Sequence, residues 1–94
     1  MKESEKLLEQ TVNRTVKTLG GWSIKLVPLY VAGLPDRLIL MPGGRAYFAE
    51  IKTTGQKPRP IQLSIKRKLE AVGFTVFIID SKETISNMVN TIMK

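Results

Sequence analysis

The 94-residue chain contains no cysteine and no histidine. Disulfides, thiol nucleophiles, zinc fingers, haem ligation, Ser-His-Asp triads and imidazole bases are excluded together. No apolar run approaches the ~20 residues that span a bilayer. The opening MKESEKLLEQ has no apolar core and three glutamates by residue 9, so it is not a signal peptide. The expectation is a cytoplasmic protein without a membrane partner. Acid is also scarce, with 8 Asp+Glu against 15 Lys+Arg. Any chemistry must come from carboxylates, lysine, hydroxyls and a hard metal that carboxylates hold; no organic cofactor is expected.

The net charge of +7 points to a polyanion, most often nucleic acid. Hydrophobic residues at 43% and charged ones at 24% are globular values and exclude disorder. The length fits one domain, residues 1–94, with a small core.

Leu8, Val12, Val16 and Leu19 predict a helix over residues 3–19, ended by Gly20-Gly21. Trp22 to Val27, Arg37 to Met41 and Arg45 to Lys52 read as strands, the last two joined by the turn Pro42-Gly43-Gly44. Pro60 suits the first position of a second helix, whose apolar face is Ile61, Ile65, Leu69 and Val72, with Gly73 as its cap. Phe74 to Ile79 is apolar but for Thr75 and is expected as a central strand. Asp80 and Glu83 suggest a capping box for a last amphipathic helix carrying Ile85, Met88, Val89 and Ile92. The order α-β-β-β-α-β-α implies an α/β fold with a mixed sheet, because the strand-helix-strand passage is a crossover. Trp22 and Tyr47 are expected in the core, with stacking on bases as the alternative.

Between Gln10 and Leu69 lie eleven basic residues and only two acids, Asp36 and Glu50. Carboxylates in a basic field weaken phosphate binding unless they hold a cation there. Glu50 and Lys52 share a strand face, ~7 Å apart. Pairing of the hairpin strands sets Asp36 beside Glu50. The plainer account of Glu50 is a salt bridge to Arg37 or Lys52. On the first helix, Glu5 and Glu9 fall on the core side and Glu3 points away, at ~100° per residue. Inward acids need a partner, either a metal site or solvated first turns.

These residues resemble the PD-(D/E)XK nuclease superfamily, and within it the virus-type replication-repair nuclease (VRR-NUC) family. The resemblance rests on Glu5 or Glu9 with Gly20-Gly21, then Gly33-Leu34-Pro35-Asp36, Pro42-Gly43-Gly44, Glu50-Ile51-Lys52, and Gln62 followed by Leu69 and Gly73. It covers nearly the whole chain. It implies a restriction-endonuclease-like αβββαβ core, here with a C-terminal helix, and an endonuclease using Mg²⁺ or Mn²⁺ on branched or flapped DNA. Stand-alone phage members are similar to Holliday junction resolvases and act as homodimers, which for a phage-encoded chain implies the host cytoplasm.

The expected site is then Asp36, Glu50 and the Ile51 carbonyl for metal, with Lys52 and Gln62 beside the reaction and Glu5 or Glu9 as a further acid. Lys57, Arg59, Lys66, Arg67 and Lys68 are expected on the DNA backbone. The rivals are a non-catalytic basic nucleic-acid-binding module, a monomeric flap nuclease, and an adaptor using the last helix with Met88 and Met93. That helix is also the expected dimer surface.

Overall fold

Ser4 starts the first helix, α1 (Glu5–Thr18), by accepting the Leu7 N–H on its hydroxyl at 3.1 Å. The computed structural model describes residues 4–94; Met1, Lys2 and Glu3, and with them the expected helix start at residue 3, lie outside the described residues. Gly20, at φ +85°, ends the helix, and its N–H bonds the Lys17 carbonyl at 3.0 Å. Gly21 follows because a Cβ there would lie 2.7 Å from the Leu40 carbonyl and 2.9 Å from Val16. The chain therefore turns directly from α1 into β1 (Trp22–Lys25).

β1, β2 (Arg37–Met41) and β3 (Arg45–Ile51) form an antiparallel meander, with Lys25 opposite Arg37 and Arg37 opposite Ala49. The β2–β3 turn places Gly43 and Gly44 at positive φ, which the hairpin twist favours. Helix α2 (Pro60–Ala71) then crosses over to β4 (Val76–Ile79), which pairs parallel with β3, and α3 (Lys82–Ile92) closes the chain. The sheet order is β1-β2-β3-β4. The expected mixed sheet and element order are both present.

Strand parity sets Arg37, Ile39, Ala49, Ile51 and Ile79 on one face. Leu8, Val12 and Val16 of α1, with Ile85, Met88 and Ile92 of α3, complete the core there. Truncating a fully enclosed member such as Ile39 to alanine would cost about 2–5 kcal/mol. The opposite face carries Leu38, Phe48, Glu50 and Val76, and α2 lies on that side, against β4.

Several expectations are corrected. β4 is an edge strand, not a central one; it is uniformly apolar because α3 and α2 pack on its two faces. The last helix is capped by Ser81, whose Oγ accepts the Thr84 N–H at 3.2 Å, and not by Asp80 with Glu83. Thr84 returns the bond by accepting the Asp80 and Ser81 N–H groups at 3.0 Å each. On α2, Ile65 is buried as expected, but Ile61 and the C-cap residue Val72 are exposed, and Gln62 is buried instead. Trp22 is 66% exposed rather than in the core, whereas Tyr47 stacks on Phe77 with ring centroids 5.7 Å apart. Met88 is fully enclosed, and Ile85, Met88 and Ile92 of α3 are taken up by the core, leaving Val89 half-buried and the C-cap residue Met93 exposed. Among the described residues, no helix is long and apolar enough to cross a membrane.

Candidate active site

The β2–β3 register continues past Arg37 and Ala49 to place Asp36 opposite Glu50. Both side chains take the face that carries α2. Asp36 is fixed twice. Its Oδ2 accepts the Ile51 N–H at 2.6 Å, and its carbonyl accepts the Leu26 N–H at 2.8 Å. Glu50 is 3% exposed and accepts Gln62 Nε2 on Oε1 at 3.0 Å. Gln62 sits in the first turn of α2, where its Oε1 also accepts the Arg59 N–H at 2.8 Å. It satisfies a helix-end donor and a buried carboxyl at once.

Burial pushes the Glu50 carboxyl up to about 8, and a hydrogen bond and charge repulsion from Asp36 push the same way. Lys52 and Arg59 oppose that shift, so both cations stand close enough to act on Glu50. The site is a pair of opposed carboxyls, one of them desolvated, with an ammonium and a guanidinium beside them. Such a pair is poorly disposed to hold two negative charges unaided, and a divalent cation would relieve it.

The donor chemistry fits a hard ion, since oxygen is the only ligand type offered. Among the described residues, no group of three or more His, Cys, Asp or Glu side chains converges. The protein donors on offer to such an ion would be two carboxylates and a backbone carbonyl such as that of Ile51, with water or phosphate left to complete a shell.

The other expected acids are not brought to this pair. Glu5 is exposed in the first turn of α1. Glu9 faces the sheet from the opposite side and accepts Arg37 Nη1 at 3.2 Å. Arg37 is buried, and it also donates from Nε to Ser23 Oγ and from Nη2 to the Ser23 carbonyl, each at 3.0 Å. Ser23 Oγ in turn donates to Asn13 Oδ1 at 2.8 Å. Arg37 is thus engaged by Glu9 and Ser23, not by Glu50. This network was not expected from the sequence. Its signal was available: Arg37 falls at a core-facing strand position, where a cation requires a partner. A cavity of about 390 Å³ lies on this side, lined by Asn13, Lys17, Gly21, Trp22, Ser23 and Arg37, and includes neither Asp36 nor Glu50.

Of the basic set, Lys57, Arg59, Arg67 and Lys68 are exposed. Lys66 is bound to Glu70 at 2.9 Å, one turn further along α2. Lys57 and Arg59 lead into the helix that carries Gln62, so this cationic segment runs up to the carboxyl pair.

No family model matches the chain. A phage protein does: "Putative nuclease p44" of Acyrthosiphon pisum secondary endosymbiont phage 1 is 37% identical over 79 residues, 84% of this chain and 85% of that protein. A solved structure described as "VRR_NUC domain" superposes with a TM-score of 0.87 at 28% identity, covering 92% of this chain and 94% of the other. The chain belongs to the VRR-NUC family of nucleases. The VRR-NUC fold accounts for the order of elements, the mixed four-stranded sheet and the three helices that cover its two faces. Both similarities span most of either chain, so the family fold is represented nearly in full.

Proposed function

We propose that this nuclease is a divalent-metal-dependent endodeoxyribonuclease that hydrolyses phosphodiester bonds in branched DNA, with the four-way junction as its main substrate. The observation that carries the reading is the opposed pair Asp36 and Glu50, with Lys52 and Arg59 acting on it, inside a chain of net charge +7. A cation-binding pair at the focus of a basic surface is what cleavage of a polyanion requires.

Asp36, Glu50 and the Ile51 carbonyl would hold Mg²⁺ or Mn²⁺, which supplies Lewis-acid charge neutralisation and lowers the pKa of water. The rest is assigned to the chain's own groups. The Ile51 N–H holds the Asp36 carboxylate in place. Gln62 orients Glu50. Lys52 offsets negative charge developing on the phosphoryl oxygens. Lys57, Arg59, Arg67 and Lys68 bind backbone phosphates without reading sequence, with Lys66 in reserve behind its pair with Glu70. Glu9 acts as a positioning residue: it holds Arg37, the neighbour of Asp36. Glu5 has no role at the pair.

Resolving a four-way junction takes two cuts on opposing strands, and each chain offers one carboxyl pair, so we assign the active form to a homodimer. The surface proposed for it is the sheet face that α2 leaves uncovered. There Trp22 pairs with Leu40, Ile24 with Leu38, and Leu38 with Phe48. That strip carries no charged side chain, so two strongly basic chains would meet on it without opposed cations. The protein is assigned to the host cytoplasm.

The test is cleavage of an end-labelled four-way junction with Mg²⁺, with Mn²⁺ and in EDTA. Paired nicks that need the metal are expected. Tight binding without cleavage in any metal would move the protein to the non-catalytic class, and cleavage of flaps alone would move it to the monomeric one.

A further inference from the structure

Residues 27–35, Val-Pro-Leu-Tyr-Val-Ala-Gly-Leu-Pro, contain no charged side chain in a protein where charged residues are 24%. A surface loop of that composition is unusual, because loops ordinarily face water. Here the apolar groups do face water: Tyr30 is 97% exposed, Leu29 76% and Val27 60%.

The loop is nonetheless held at fixed points. Its base is closed by the bond from the Leu26 N–H to the Asp36 carbonyl. A tight turn closes from the Leu29 N–H to the Val27 carbonyl at 2.8 Å, around Pro28. Gly33, buried and at φ +85°, packs so closely on α2 that a Cβ would lie 2.7 Å from the Ile61 carbonyl. The excursion therefore leaves from Leu26, returns to Asp36 of the carboxyl pair, and rests on the first turn of the helix that carries Gln62. Lys57 and Arg59 precede that turn.

An apolar, exposed tip on a loop anchored at Asp36 and against the first turn of α2 matches one kind of ligand. Phosphates are taken by the cations, and the face of a nucleobase by the tip. Paired bases in a continuous duplex are covered by their neighbours, so the tip can reach a base only where stacking is interrupted. We propose that Leu29 and Tyr30 form a stacking wedge that takes an unpaired or unstacked nucleobase next to the scissile phosphate, making this loop the element that selects branched over continuous DNA. The inference deepens the nuclease reading above and rests on it for the position of the scissile phosphate. Stacking is tolerant of base identity, in keeping with backbone contacts that carry no sequence information.

The experiment measures binding in EDTA, where no cleavage occurs, using a four-way junction with 2-aminopurine at the branch and a continuous duplex of equal length. Wild type is expected to change the fluorescence of the branch probe. Leu29→Ala with Tyr30→Ala is expected to abolish that change and to weaken junction binding roughly 5- to 150-fold, the range of one base-stacking contact. Duplex affinity and the salt dependence are expected to stay as they are. Tyr30→Phe, which keeps the ring, is expected to restore the signal. Both positions are exposed, so thermal unfolding serves as a control that the fold is intact.

The proposal is overturned if junction and duplex affinities fall by equal factors, if neither falls, or if the double variant changes only sedimentation, which would make the tip a contact between copies. Because the readout is binding, a wild-type protein that cuts no DNA would refute the nuclease reading while the probe still judged the wedge.

Discussion

The Gln62 amide joins Glu50 to the start of α2, donating from Nε2 to Glu50 Oε1 at 3.0 Å and accepting the Arg59 N–H on Oε1 at 2.8 Å. The backbone N–H demands an acceptor, which fixes the orientation of the amide. The NH₂ end must then face the carboxyl. That end suits Glu50 in either protonation state, because a carboxylate and the carbonyl oxygen of a carboxylic acid both accept. Gln62 can therefore hold Glu50 in place through a change of charge.

Replacing Gln62 by methionine keeps the volume but strands the Arg59 N–H and one Glu50 oxygen. An unsatisfied buried group costs about 1–3 kcal/mol, and 1 kcal/mol lowers the melting temperature of a domain this size by roughly 4–8 °C. Calorimetry should show a loss in that range, and cleavage measured below the transition should fall as well. Full activity with reduced stability would limit Gln62 to capping.

Glu50 makes stability depend on pH in an unusual direction. An ordinary glutamate near 4.5 is ionised in the unfolded chain at neutral pH, while the folded group, at about 8, keeps its proton. Between those values the folded state binds more protons, so metal-free protein should lose stability as pH rises from about 4.5 to 8. Each unit of difference is worth about 1.4 kcal/mol at most. Glu50→Gln imitates the protonated form and should remove this contribution, leaving the variant more stable than wild type at pH 8 and devoid of cleavage. Urea titrations of both proteins at pH 5 and pH 8 test it through their difference, and a difference that does not change between the two pH values would contradict it.

Glu9 and Glu5 are predicted to part company. Glu9→Gln leaves the buried Arg37 with its two bonds to Ser23 and no counter-charge, a loss of roughly 1–3 kcal/mol. Glu5→Gln alters an exposed side chain and should stay within about 0.5 kcal/mol. Cleavage at 20 °C by the two folded variants completes the comparison. Glu9→Gln is expected to slow it through Arg37, and Glu5→Gln to leave it unchanged. Abolition of cleavage by Glu5→Gln would place an acid at the site that this geometry does not bring there.

The fold was largely legible from local pattern, because stripes, turn glycines and Pro60 act within a few residues. The opposition of Asp36 and Glu50 was legible too, since a hairpin with a short turn fixes its own register. What escaped depended on distant packing. Strand order is not encoded in the apolarity of β4, which reflects coverage on both faces whether a strand is central or at an edge. The rotation of α2 was misjudged because Gln62, a polar residue, takes the inward position to reach Glu50, and Ile61 is displaced outward. Helical periodicity placed Glu5 and Glu9 together, but only Glu9 lies far enough along α1 to meet Arg37.

Salt should weaken DNA binding linearly on a log-log scale, with a slope near −0.9 per phosphate neutralised on duplex DNA. Lys57→Ala with Arg59→Ala should flatten that slope by roughly two phosphates' worth and weaken binding alike across sequences. Lys66→Ala should do less, because its ammonium is already held by Glu70. Fluorescence anisotropy at several salt concentrations measures all three. An unaltered slope in the double variant would put the DNA on another surface.

The homodimer can be tested without touching the carboxyl pair. Trp22 is 66% exposed and lies opposite Leu40 on the strip assigned to the interface. Because its ring faces solvent, Trp22→Glu should cost the isolated chain little stability. In a two-fold interface the same change places two carboxylates against an apolar surface, and desolvating them is unfavourable. Sedimentation at micromolar concentration should show wild type as a dimer and the variant as a monomer. Junction assays should then change from paired cuts to single nicks, with cleavage at one strand preserved. A variant that remains dimeric would move the interface off this strip, and a monomeric wild type that still makes paired cuts at one-to-one stoichiometry would remove the need for a dimer.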